Sequence, residues 1–307
     1  YTAASGLQNQ GSFDVRGNAM RGRSSSHVRL VYVPGVFGHG SVVTVSNNTL
    51  EGTASSYYVY AMLLYVGSLN FGEVYVSSFI GSSVNVNDNA ITTAGSGTYA
   101  VQLSGGVWDS VVNIQRNRLS AYITSTGTLV QLASHVIGQD AVLNIASNTF
   151  TSRTRSLSYY QTSFLNFQNM YSSYKPSNKR FGTIVLASNT FDTQTTSASR
   201  TTSSSTYHVY MYYIAANVRV TGNRWTARVP AGVTALYLRP TGYLRGPGIN
   251  HEALTFDVRA NNVDVQSYYY AYGFQVTQLV QTALTMADNV VTTGSFSSSI
   301  YVRTLYG

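Results

Sequence analysis

Side-chain catalysis needs titratable groups held close together, and this sequence keeps such groups apart. Its eleven acids are nearly solitary along the chain. Polysaccharide lyases and hydrolases need clustered carboxylates, often with Ca2+ or a basic partner. Asp14 and Asp257 each sit in Phe-Asp-Val-Arg, with Arg16 and Arg259 two residues on. On a strand that spacing puts acid and base on one face, as a surface ion pair worth little. His27, His39, His135, His208 and His251 have no metal-ligand spacing. The absence of Cys excludes thiol nucleophiles, disulfides and Cys-zinc sites. No glycine cluster follows a nucleotide-binding pattern. The expectation is a protein that is not an enzyme, with no cofactor and no metal.

The residues that remain are suited to recognition. Of 19 basic residues only Lys175 and Lys179 are lysine, which leaves 19 − 2 = 17 arginines and a net charge of +8. Arginine stacks and binds carboxylates and phosphates bidentately. No run of like charge resembles a nucleic-acid arm, so nucleic acid is not an expected partner. Two segments rich in Ser, Thr and Arg, 151–163 and 192–206, bring Arg153, Arg155 and Arg200 into play, with Tyr159 and Tyr160 close by. Segment 171–182 adds Lys175, Lys179 and Arg180, and segment 240–252 adds Arg245. Loops on a rigid scaffold often carry binding, so these are candidate binding loops, with acidic glycans as a candidate ligand class. Tyrosine groups such as Tyr57–Tyr58, Tyr212–Tyr213 and Tyr268–Tyr270 must point partly outward on strands. A same-face tyrosine ladder, a glycan ring or a protein neighbour would use them. Asn47-Asn48-Thr49 is the one glycosylation sequon, with Asn47 as the possible acceptor.

The scaffold under these residues is a repeat. Charged residues are only 10% of the chain, whereas Tyr, Val, Ser, Thr, Asn and Gly are abundant, which favours strands over helices. One pattern recurs: apolar, any, apolar, two mostly polar or small residues, Asn, any, apolar. Its Asn is Asn18, Asn48, Asn89, Asn117, Asn148, Asn189, Asn223, Asn261 and Asn289 in turn. On the order of two matches would arise by chance in a chain like this. Each motif is followed by a second short apolar strand, beginning near Val28, Val59, Tyr99, Leu129, Phe164, His208, Ala235, Tyr272 and Ile300.

One such unit has one inward face and cannot bury it alone, so it must stack on its neighbours. The bend is assigned to the Asn, which tolerates left-handed backbone and can bond locally. Stacking superposes the nine Asn residues, whose amides can then bond one another as a ladder. No Asn-Gly or Asp-Gly dipeptide supplies the hairpin turns of a propeller. The spacing therefore predicts an all-β chain: one continuous right-handed parallel β-helix domain over 1–307, a solenoid of about nine coils with an Asn ladder, roughly 40 Å tall. No apolar run reaches the ~18 residues that cross a bilayer, so no membrane span is expected.

Val-Ser-Asn-Asn-Thr-Leu at 45–50, Ile-Ala-Ser-Asn-Thr-Phe at 145–150 and Leu-Ala-Ser-Asn-Thr-Phe at 186–191 carry a resemblance. The whole pattern resembles the parallel β-helix superfamily with pectate-lyase-like coils. Within it, these hexapeptides are similar to the large surface β-helix proteins of kinetoplastid protozoa, the dispersed gene family. That resemblance implies an extracellular or cell-surface, adhesin-like role. The chain starts at Tyr1 with no leader, which reads as a processed chain or a segment of something longer. Phe-Asp-Val-Arg-Gly-Asn at 13–18 returns as Phe-Asp-Val-Arg-Ala-Asn at 256–261, a hint that the repeat continues. The leading expectation is a structural filament subunit or adhesin-like segment stacked head to tail on other copies of itself or on further coils. The alternative is a carbohydrate-binding or tailspike-like module, and a polysaccharide-cleaving enzyme ranks third.

Overall fold

The computed structural model describes residues 11–34, 40–65, 69–71, 74–76, 78–104, 106–133, 141–154, 162–170, 181–195, 205–230, 232–240, 253–277, 279 and 282–295. Among these residues the chain is all-β, with no helix. The nine motif triplets form one nine-stranded sheet in sequence order: Ser12–Arg16, Val42–Ser46, Ser83–Asn87, Val111–Gln115, Val142–Ala146, Thr183–Ala187, Asn217–Thr221, Leu254–Arg259 and Thr282–Ala287. Every pairing in it is parallel. The register is that of the repeat: Phe13 lies opposite Val43, Val43 opposite Val84, and so on to Phe256 opposite Leu284. A single-residue slip would turn every apolar side chain out of the core, so the apolar triplets enforce this register.

After the Asn, a second row of strands stacks in the same order, from Ala19–Ser24 and Thr49–Ala54 to Asn262–Ser267 and Val290–Ser295. A third row contains Val28–Pro34, Tyr58–Tyr65, Thr162–Met170, Ser205–Ile214, Gly232–Pro240 and Ala271–Val276. These are the second elements read from the sequence; the ninth, near Ile300, lies outside the described residues. Two long strands, Ala90–Ser104 and Arg118–Ala133, run through both rows and join them into one 15-stranded sheet. Ala90–Ser104 bends past its neighbour at a register shift between Gly95 and Gly97. A Cβ on Gly97 would run into the Tyr58 ring, so any larger residue there would have to displace that ring. One pairing departs from the parallel rule: Leu69–Phe71 with Val74–Val76, antiparallel. The arrangement is compatible with a parallel β-helix or related solenoid.

The inward residues form one continuous core from Val31 to Val276. In three successive repeats the apolar position two after the Asn is aromatic. Phe150, Phe191 and Trp225 stack there, with ring centroids 4.8 and 5.5 Å apart. Such offset stacks add to the area they bury.

The bend differs from the expectation in one respect. The left-handed residue is the one before the motif Asn, and not the Asn itself. Gly17, Asn47, Asp88, Arg116, Ser147, Ser188, Gly222, Ala260 and Asp288 all have φ between 53° and 68°. The reason lies in the side chain. The Asn must aim its amide inward along the stack, so the left-handed turn falls to its exposed predecessor.

Candidate functional site

The nine asparagines form an uninterrupted column. From Asn18 to Asn261, each backbone N–H donates to the side-chain Oδ1 of the Asn in the following repeat, at 2.9 to 3.0 Å. Each Nδ2 donates to the same oxygen, at 2.8 to 3.1 Å. From Asn48 onward, Nδ2 also donates to a carbonyl of the preceding repeat, Val15 O for Asn48 and Ile114 O for Asn148. An interior side chain therefore donates both amide protons and accepts twice at Oδ1. An Asn amide offers two donors and two acceptor lone pairs, so nothing is left unpaired. The interior asparagines from Asn48 to Asn261 are buried. Burial without these bonds would carry a desolvation penalty for each group.

The column's two ends are complementary. Among the described residues nothing donates to Asn18 Oδ1, whereas the backbone N–H of Asn289 has no acceptor. Asn289 Nδ2 reaches Val258 O at 2.8 Å. The terminal strands also uncover the core. Met286 and Val291 occupy inward rows yet are each 44% exposed, while Val258 and Val263, one repeat earlier in the same rows, are 0% exposed. Phe13, Val15 and Met20 at the other end are half-buried.

The outer face is lined with charge pairs and rings. Arg16 bonds Asp14 at 2.7 Å, and Arg259 bonds Asp257 in the same way. Other pairs cross repeats: Arg21 to Glu51 at 2.6 Å, Arg116 to Asp88 at 2.8 Å, and Arg228 to Asp264 at 2.6 Å. The guanidinium hydrogen bonds hold the Glu51 and Asp88 carboxyls below the usual carboxylate range. All lie at the surface, exposed or half-exposed, and such pairs contribute little. Among the described residues no three His, Asp or Glu side chains gather as a metal site would require.

Tyrosines stack between repeats on the third row. Tyr60 lies on Tyr99 with centroids 5.0 Å apart, and Tyr210 on Tyr237 at 5.1 Å. Burial, with Tyr60 and Tyr58 alongside, pushes the Tyr99 hydroxyl up to about 12. The Arg239 guanidinium lies 4.6 Å from the Tyr212 ring and 4.5 Å from the Tyr213 ring, and donates to the Tyr212 hydroxyl at 2.7 Å. Tyr213 itself is left-handed, at φ 57°, beside a register shift between Tyr212 and Ile214.

One titratable group that sequence reasoning passed over is inside. His208 is fully buried between Phe164 and Phe191 and holds Thr193 Oγ1 at 3.0 Å through Nε2. Its Nδ1 has no hydrogen-bond partner among the described residues. Burial drives its pKa down to about 3, so the ring is neutral. The crevice nearby, lined by Ser152, Ser163, Thr193 and Thr206, has room for about one water. The apolar strand around His208 was the available signal, and a lone His gives no spacing to read.

The predicted binding-loop residues divide sharply. Arg153 is exposed at the end of Thr149–Thr154. Arg155, Tyr159, Tyr160, Lys175, Lys179, Arg180, Arg200 and Arg245 lie outside the described residues. Asn47 is exposed at the left-handed turn position.

Compared with family models, with curated proteins and with solved structures, the chain finds no significant match in any of the three.

Proposed function

We propose that this chain is a right-handed parallel β-helix of nine pectate-lyase-like coils. In this reading it serves as a structural, surface-exposed extracellular protein: a filament subunit or adhesin-like segment joined end to end. The observation that carries this is the exposure of core-row side chains at both ends of the stack, Phe13, Val15 and Met20 at one and Met286 and Val291 at the other. Open edges of parallel strands with apolar rows beneath them are templates for further strands. The right-handed sense follows from the strong preference of parallel crossovers. A head-to-tail contact does not close on itself, so it propagates. Sedimentation velocity over a wide concentration range tests this reading. Growth into open-ended multimers is expected, and a monomer at every concentration would overturn it. The extracellular placement rests on the hexapeptide resemblance to kinetoplastid surface proteins, and an N-glycan on Asn47 of the native protein would test it.

A second reading has one specific observation behind it, the Arg239 guanidinium laid against Tyr212 and Tyr213. An acidic glycan recognised there would make the chain a carbohydrate-binding module. Calorimetric titration with oligogalacturonate, against the Arg239→Gln variant, separates the two.

A further inference from the structure

The end-to-end reading leaves open how one end meets the next, and the asparagine column narrows this to one arrangement. Within the stack every junction between repeats is made the same way: backbone N–H and Nδ2 of one Asn donate to Oδ1 of the next, whose Nδ2 returns to a carbonyl behind. Among the described residues, the last Asn finds no acceptor for its backbone N–H and the first finds no donor to its Oδ1. The two ends therefore carry opposite halves of the junction that recurs throughout the interior.

A second observation concerns the strand that would receive the contact. Phe13-Asp14-Val15-Arg16 repeats at Phe256-Asp257-Val258-Arg259, and both copies fold alike, down to the Arg-to-Asp hydrogen bond. In its internal setting this strand is covered on both edges, by Asn217–Thr221 and by Thr282–Ala287. At the start of the stack the same four residues pair with Val42–Ser46 on one edge, and no described residue pairs with the other. The same sequence thus accepts a parallel neighbour on that very edge elsewhere in the molecule.

We infer that the partner of each end is a second copy of this chain, docked in repeat register. Asn289 donates to Asn18 Oδ1 of the next copy, and Asn18 Nδ2 of that copy donates to the Met286 carbonyl. Leu284 then lies opposite Phe13, Met286 opposite Val15, and Val291 opposite Met20. Thr285, which pairs with Asp257 inside the chain, lies opposite Asp14 of the next copy. This inference rests on the end-to-end reading above and adds the partner and the register.

The absence of Cys makes the test clean. Asp14 and Thr285 are both exposed, and parallel neighbours about 4.8 Å apart are within disulfide reach. The two positions are too far apart within one chain to bridge. The double variant Asp14→Cys with Thr285→Cys, oxidised at assembling concentration, is expected to give a reducible ladder of multimers on denaturing gels. Asp14→Cys with Ala283→Cys or with Ala287→Cys, each two residues out of register, is expected to give none beyond the single variants. Crosslinking that favours a slipped pair, or multimers of the wild type with no in-register crosslink, would overturn the register and leave the end-to-end reading standing. Wild-type chain that never associates would overturn both.

Discussion

Two of the turns in a repeat, the one between its first and second strands and the one between its second and third, are built on opposite principles. The first, between the nine-stranded sheet and the second row, has the same length and the same inward residue in all nine repeats. The second, between the second and third rows, varies. In two repeats it is absorbed into the continuous strands Ala90–Ser104 and Arg118–Ala133. In the next two, residues 155–161 and 196–204 between the second-row and third-row strands lie outside the described residues. Its interior holds a mixture of Thr98, Thr128, Ser152, Thr193 and His208 in place of one repeated group. A side chain that satisfies itself only against copies of itself fixes register along the stack. Once the first turn does that, the second is free to vary in length and content.

Breaking the first turn has the largest expected effect. Asn148→Ala removes the acceptor for Asn117 and the donor to Asn189 Oδ1 and to Ile114 O. Several buried groups lose partners at once, so a loss of about 3 kcal/mol is expected in a denaturant titration. A cost under about 1 kcal/mol would show that the column is ornamental.

The second turn is probed through pH. His208 is depressed from near 6.5 to about 3 in the folded chain, so the unfolded state binds the extra proton first. Its contribution is fully present above pH 6.5 and is lost as pH falls toward 3. The expected slope is about 1.4 kcal/mol per pH unit in that window, or about 2 kcal/mol by pH 5. His208→Phe should flatten the slope between pH 6.5 and 5 relative to the native chain. An unchanged slope would locate the acid sensitivity elsewhere.

The smallest effect sharpens where the bend sits. Ala260 is exposed, with φ 53°, so substitution there acts on backbone alone. A left-handed residue with a Cβ costs roughly 1–2 kcal/mol, part of which glycine returns as unfolded-state entropy. Ala260→Gly is expected to raise stability by about 0.5 kcal/mol, and Ala260→Val to lower it by about 1 kcal/mol. Thermal melts that rank Val above Gly would contradict this assignment of the turn.

The first turn was legible in the sequence because its chemistry demands one residue type at one spacing. The nine motif asparagines and the apolar rows on either side of them could be named, as could six third-row strands to within three residues of their starts, while the starts near Tyr99 and Leu129 fall inside continuous strands and the one near Ile300 lies outside the described residues. The left-handed position was not legible. It is occupied by Gly, Asn, Asp, Arg, Ser and Ala, since an exposed residue there is constrained only by its φ. The cross-repeat ion pairs of Arg116 with Asp88 and Arg228 with Asp264 span 28 and 36 residues, and they become neighbours only once the register is known. The joining of two rows through Ala90–Ser104 depends on glycines that look like ordinary turn formers. His208 reads as a lone histidine until the rings around it are placed. The arginine-rich loops were named from composition, and most of their residues lie outside the described part.

Hydrogen exchange of the nine motif asparagine backbone amides tests the central claim most directly. The amides of Asn18, Asn48, Asn89, Asn117, Asn148, Asn189, Asn223 and Asn261 each donate to the next side chain. The interior ones are predicted to exchange only when the whole stack unfolds, at a common slow rate. Asn289 is predicted to exchange fast in dilute solution and to become protected as the chain associates. Interior asparagine amides that exchange as readily as exposed turns would contradict the column itself, whatever the chain does at its ends.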